Sequence, residues 1–349
     1  MDELHQSSPK KQDDRKCYLS NKLEVFTIWW YYTDAMKKIL LLLPMLASVA
    51  SAETLFSEWL DDTSALAQEL SNEWRHELPD TGMIPSFLSA EYVSRMRERH
   101  GGSSLSWQQY SLCLPLADPR RSGGEKWMFN ASINADVTLL ETSGNLDVKH
   151  NDLYHFSIPV SVIVPRQNDN VIILAASPSF DSDFAQSAHS FHMNLMASYR
   201  IQHSETFNYS VGLAYAPYAG AWNVMPVFSF DWQMTPEWTL SMSGYSIRAM
   251  RDMGQGLSLG AFVQGEGGSW AVEMPQGTRL LRVRSLVAGL TSEYDFSHPG
   301  QSKRVVSLSA GCVLTTAVDV CEFNADRDRD ESHHYQPGFY VSGSVDFRF

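Results

Sequence analysis

The stretch GFYVSGSVDFRF, Gly338 to Phe349, decides the fold. Phe339, Val341, Gly343, Val345, Phe347 and Phe349 alternate in it with Tyr340, Ser342, Ser344, Asp346 and Arg348. Successive side chains of a β-strand point to opposite faces, so the two sets separate into an apolar face ending in aromatics and a polar face carrying charge. A strand apolar on one side and charged on the other fits a sheet that meets hydrocarbon outside and water inside.

Working outward from this strand, the same alternation recurs. Phe129, Ile133, Val137 and Leu139 oppose Asn130, Ser132, Asn134, Asp136 and Thr138. Tyr154, Phe156 and Ile158 oppose His155 and Ser157. Phe191, Met193, Leu195 and Tyr199 oppose His192, Asn194, Ser198 and Arg200. Phe207 to Tyr215 and Trp222 to Trp232 repeat the pattern. Alternating segments of about 10 residues separated by turn residues are the signature of a transmembrane β-barrel, and they gain weight by recurring. Further strands are expected at 171–180, 238–249, 257–264, 269–275, 280–296 and 304–316, with a bulge near Ser285 where parity slips. The count is about 12, or about 10 if one hairpin is lost, both even as a bacterial single-chain barrel requires. Tyr199, Phe207, Tyr215, Trp222, Trp232, Trp238, Tyr294 and Phe296 fall where strands meet turns, the place of an interfacial girdle. If the first strand rises from the periplasm, the short turns 165–170, 203–206, 234–237, 265–268 and 297–302 share the periplasmic side and Glu322 to Gln336 forms an outer loop.

Near the other end, Lys37-Lys38, the apolar run Ile39 to Val49 and Ala50-Ser51-Ala52 form the three parts of a secretory signal peptide, residues 36–52, cleaved before Glu53. The run is shorter than the ~20 residues a membrane-spanning helix needs. Residues 1–35 read as an upstream extension outside the fold. Leu55, Trp59, Leu66, Leu70 and Trp74 recur at helical spacing, and Ser89 to Arg99 reads as a second short helix. Residues 53–126 are therefore expected to be a helical and linker extension on the periplasmic side, with 127–349 as the barrel.

The chain carries 27 basic and 40 acidic residues, a net −13. That balance excludes nucleic acid as a partner, since phosphate backbones are bound through Lys and Arg. Cys113, Cys312 and Cys321 follow the signal, an odd number. Cys312 and Cys321 cannot bridge if one strand runs through both, and the unbroken parity from Val306 to Val320 favours that strand. Asn324, Asp326, Asp328 and Asp330 alternate oxygen ligands but lack the glycine and distal glutamate of a calcium loop, so a solvated loop is the expectation.

Asp136, His155, His192, Arg200, Asp231, Glu293, Asp346 and Arg348 are the charged or titratable residues that alternation places in the lumen. Both signs are present, which suggests salt bridges across the interior and no one-sided selectivity ring. His155 and Ser157 share a face two residues apart, the minimum for a nucleophile and its base. No hydrolase motif accompanies them, and an enzyme is not expected. No cofactor or metal site is read.

Together the signal peptide, the alternating segments and the closing aromatic strand resemble bacterial outer-membrane β-barrel proteins, in particular the barrels of unknown function in that class. The resemblance implies an all-β, transmembrane, antiparallel up-and-down barrel in the outer membrane of a Gram-negative-type bacterium. It implies outer-membrane lipid and the barrel-assembly machinery as partners, with Phe339, Val341, Val345, Phe347 and Phe349 as the assembly signal. The function expected is a narrow passive pore for small solutes, with a non-conducting structural or surface-interaction barrel as the alternative.

Overall fold

A computed structural model of the protein describes residues 86–116, 127–144, 146, 148–185, 189–217, 224–297, 303–323 and 329–348. These form sixteen strands in one antiparallel sheet: β1 (Ser86–Arg97), β2 (Ser104–Pro115), β3 (Met128–Ser143), β4 (Asp152–Ser157), β5 (Val160–Pro165), β6 (Val171–Ser182), β7 (Phe191–Gln202) and β8 (Phe207–Tyr215). The second half adds β9 (Val224–Gln233), β10 (Trp238–Ser243), β11 (Ser246–Gly254), β12 (Leu257–Met274), β13 (Gly277–Asp295), β14 (Lys303–Cys321), β15 (Arg329–Tyr335) and β16 (Gly338–Arg348). Apart from β4 with β5 and β15 with β16, consecutive strands pair with one another, and β1 pairs β16, which closes the sheet into a ring. Closure matters because an open edge in lipid would leave backbone groups unsatisfied.

Two lines of the ring are broken by prolines that cannot donate to a ladder. β4 and β5 both pair β3 and β6, on either side of Ile158-Pro159. β15 and β16 both pair β14, on either side of Gln336-Pro337. Sixteen strands therefore fill fourteen positions, where about 12 were expected.

Four misreadings account for the difference. Ser89–Arg99 is not a helix: Ser86 to Arg97 is β1, held between β16 and β2. Ladders on both sides impose period two on a segment whose intrinsic preference is helical. Ser104 to Pro115 is β2, so the ring begins at Ser86 rather than after residue 126. The segment 238–249 turns at Gly244-Tyr245, making the hairpin of β10 and β11, with Gly244 at φ +56°. Conversely, Gly265 to Gly268 is no turn, because β12 runs unbroken and pairs β13 along its whole length. The helical expectation for Leu55 to Leu78, the signal peptide and Phe349 fall outside the described residues. Cys312 and Cys321 do lie in one continuous strand, and the β13–β14 register shifts between Leu286 and Val287, next to the expected bulge at Ser285. The connections after β5, β7, β9 and β13 share a rim with the start of β1 and the end of β16, as the turn reading requires.

The outward face of the ring is apolar nearly all the way round. Leu88, Leu114, Phe129, Phe156, Leu174, Leu195, Leu213, Leu259, Leu308 and Phe339 are all exposed, and Leu290 is 71% exposed. Tyr199, Trp232, Trp238, Tyr294 and Phe296 form an exposed aromatic row near the short-turn rim, where the Arg251 guanidinium lies 5.9 Å from the Trp238 ring centre.

Inside, the ring is not open. β12 outruns β11, and its free edge bonds across to the end of β6: Ala271 pairs Ser182, and Asp183 Oδ2 accepts from Glu273 N at 3.0 Å. That contact pinches off a smaller upper storey bounded by β12 to β15, β1 to β4 and the end of β6. A buried cluster including Val93, Met96, Trp107, Leu140, Leu153, Trp270, Leu281, Val318, Tyr335 and Tyr340 fills it. Each such side chain is worth about 1.5–3 kcal/mol of burial, so the packing holds the storey shut.

Candidate lumen site

The inward faces carry two polar systems. The first lies within the packed storey and spans it. Gln264 Nε2 on β12 donates to Tyr340 Oη on β16 at 3.2 Å, and Tyr340 Oη donates to Glu91 on β1 at 3.3 Å. Trp107 Nε1 on β2 donates to the same carboxylate at 3.4 Å, and Gln264 Nε2 also reaches Glu266 at 2.5 Å. Glu91 and Trp107 were not among the residues expected here because β1 and β2 were not read as strands.

The second system lies on the wall formed by β3, β4, β6 and β7, immediately below the packed core, since Leu153 of that core precedes His155 on the same face. Cross-strand register builds it in rows. Asp136, His155 and Asp181 stand opposite one another on β3, β4 and β6. Asn134, Ser157, Ser179 and His192 form the next row, and Ser177 faces Asn194 in the one after. The His155 imidazole is held at both ends: Nδ1 contacts Asp181 Oδ1, and Nε2 lies 3.2 Å from Ser157 Oγ. With Nδ1–H donating to the carboxylate, Nε2 accepts from the hydroxyl, a tautomer assigned from the network. Asp181 Oδ2 is 3.3 Å from His192 Nδ1, and Asn194 Nδ2 donates to His192 Nε2 at 3.3 Å. Ser157, Asp181, His192 and Asn194 are buried, while 16% of the His155 side chain is open. An imidazole between a carboxylate and a hydroxyl can take a proton from the hydroxyl while the carboxylate stabilises the resulting charge.

The other expected lumen residues lie apart from this wall. Arg200 on β7 reaches Asp231 on β9 at 3.8 Å, and Arg248 on β11 reaches Glu293 on β13 at 2.5 Å, each pair stepping over one strand on the inner side. Both are the salt bridges that mixed charge suggested. Asp346 accepts from Ser344 at 3.1 Å, and the Arg348 side chain lies outside the described residues. Phe339 and Val341 are exposed on the outer face of β16, with Val345 and Phe347 partly covered there. Asp181 is the member of the wall that the sequence reading omitted. It shares the parity of Ser177 and Ser179, which was the available signal.

At the rim away from the termini, the segment expected to be an outer loop is partly strand. β15 occupies its second half, and His333 Nδ1 donates to Glu98 Oε1 at 2.8 Å. That hydrogen bond holds the Glu98 carboxyl below the usual carboxylate range. Asn324, Asp326 and Asp328 lie outside the described residues.

A family model described as "Domain of unknown function (DUF6268)" matches residues 87–347, nearly the whole ring. The chain belongs to this family. The match starts inside β1 and ends inside β16, so the unit of the DUF6268 family is the closed sheet itself. No curated protein matches the chain significantly. Among solved structures, the Pseudomonas putida toluene transporter TodX is 8% identical, with a TM-score of 0.33 over 82% of this chain and 96% of that one. Pseudomonas putida OprB is 10% identical, with a TM-score of 0.31 over 82% and 99%. The outer membrane protease OmpT from Escherichia coli is 10% identical, with a TM-score of 0.20 over 76% and 95%. Scores this low carry no argument, and the barrel rests on its own strand pairings.

Proposed function

We propose that this DUF6268 protein is an integral outer-membrane barrel whose lumen is closed at rest. The observation that supports membrane insertion is the outward belt of exposed apolar side chains around a ring with no free edge. A soluble protein rarely exposes more than a few hundred Å² of contiguous apolar surface. Hydrocarbon is the solvent in which such a belt is stable, and a closed ring is one of the two ways a chain can span it. The packed storey favours a non-conducting barrel over the narrow passive pore, because Gln264 and Tyr340 hydrogen-bond across the interior, past β13 and β14, within a buried apolar cluster. Cleavage of residues 36–52 and assembly through β16 and Phe349 belong to the same proposal. Purified protein in planar bilayers should show no steady conductance. A stable open level in wild-type protein would overturn the closed lumen and restore the passive-pore reading. Recovery in the inner-membrane or soluble fraction would overturn the membrane placement. Deleting Phe349 should leave export intact and lower the amount of assembled barrel.

A further inference from the structure

We infer that Ser157, His155 and Asp181 form a serine hydrolase centre facing the lumen, acting on carboxylic esters with an apolar acyl chain. This goes beyond the closed-barrel reading and does not depend on conductance. Three observations meet at one place. His155 Nε2 lies 3.2 Å from Ser157 Oγ, and its Nδ1 contacts Asp181, the order of contacts that makes an imidazole a general base for a hydroxyl. His192 Nδ1 lies 3.3 Å from the far oxygen of Asp181. In the row beyond Ser179, Ser177 Oγ and Asn194 Oδ1 are buried with no hydrogen-bond partner among the described residues. Buried unpaired polar atoms are costly, and a polar ligand group beside them would repay the cost.

The surroundings define the substrate. Below these rows, Ile163, Ile173, Ala175 and Met196 continue the same wall toward the short-turn rim as a buried apolar cluster. An acyl chain lying along it would bring its ester carbonyl to Ser157. Asn134, directly opposite Ser157 across β3, is placed to donate its side-chain amide to the developing oxyanion. Ser157 Oγ attacks the carbonyl carbon as its proton passes to His155 Nε2. The tetrahedral intermediate collapses, the bond to the leaving oxygen breaks, and His155 returns the proton to the departing alcohol. Water then attacks the acyl-Ser157 carbonyl, giving its proton to His155. The acid leaves and Ser157 Oγ regains its proton, so ester and water become acid and alcohol.

The full-length barrel, refolded in detergent with folding confirmed by heat-modifiable migration, is treated with a fluorophosphonate probe and assayed with p-nitrophenyl octanoate. Wild-type protein should carry the probe on Ser157 by mass spectrometry. Ser157→Ala and His155→Ala should lose labelling and turnover by more than tenfold, while Ser161→Ala, on the same wall, retains both. Asp181→Asn should lower turnover and alter its pH profile, which simple loosening of the wall would not do. No labelling of folded wild-type protein, or labelling undiminished in folded Ser157→Ala, would overturn the inference.

Discussion

Replacing Leu290 with Arg puts a number on the membrane reading. Leu290 is 71% exposed on the outer face of β13, five residues before the strand ends at Asp295. At ~3.3 Å per residue the separation is roughly 16 Å along the strand. A tilt of about 40° turns this into a depth of about 12 Å, half the ~25 Å height of a barrel's apolar band. The side chain therefore sits near the midplane, where an outward Arg costs about 2–4 kcal/mol. That is roughly 30- to 700-fold in the folding equilibrium at 1.4 kcal/mol per tenfold. In a water-soluble sheet the same substitution would replace an exposed Leu with a solvated charge and change stability by no more than about 0.5 kcal/mol. Folding into lipid vesicles, titrated with urea and followed by tryptophan fluorescence, separates the two outcomes, with Leu290→Ala as the control for lost side-chain volume. A Leu290→Arg barrel within about 0.5 kcal/mol of wild type in vesicles would refute the claim that this face meets hydrocarbon.

Other substitutions test the interior. Gly212→Ala should destabilise by about 1–3 kcal/mol in the same titration, because an added Cβ would come within 2.8 Å of Ser198 Cα and force β7 and β8 apart. Arg284→Ala should cost about 3–5 kcal/mol, since Arg284 and Asp319 are a fully buried ion pair and the variant removes the charge facing the Asp319 carboxylate. Tyr340→Phe removes the hydroxyl linking Gln264 to Glu91 and should cost about 1–3 kcal/mol. Glu98 is held below its unfolded value, so its contribution is complete above the ordinary carboxylate range and is lost as pH falls through its depressed folded value. Hydrogen exchange at the rim between β1 and β15 should accelerate in acid, and Glu98→Gln should abolish that dependence.

Legibility in the sequence followed the environment of each strand. From β3 to β9, most strands have an exposed apolar face outside and a polar face inside, so hydrophobicity alternates and short turns punctuate it. Where the inner face packs against a core, the contrast fades. Trp107, Val93 and Met96 point inward from β1 and β2 and are as apolar as Tyr92 or Leu112 pointing outward, so period two is masked. The spacing of Glu91, Arg95 and Arg99 then mimics a helix face. In β12 the obstacle was glycine: Gly265, Gly267 and Gly268 read as a turn, yet the strand continues there because β13 pairs it throughout.

The candidate site shows a different limit. His155 and Ser157 were visible as a pair because they lie two residues apart on one strand, but a pair of common polar residues on a polar face decides nothing. What turns proximity into a possible mechanism is the third residue, Asp181, which comes from β6, 26 positions away, and arrives only through register. A one-residue slip of β6 against β4 would send Asp181 to the outer face and bring a neighbour inward. The register is fixed from below by the six-pair ladder of β5 with β6 and from above by the Ala271–Ser182 contact that closes the packed storey. The same contact that shuts the lumen thus also helps hold Asp181 against His155. A variant that frees β12 from β6, such as Asp183→Ala, which removes the carboxylate that accepts from Glu273 N, should therefore loosen both. If labelling at Ser157 survived such a change unaltered, the wall would owe its geometry to β3, β5 and β7 alone.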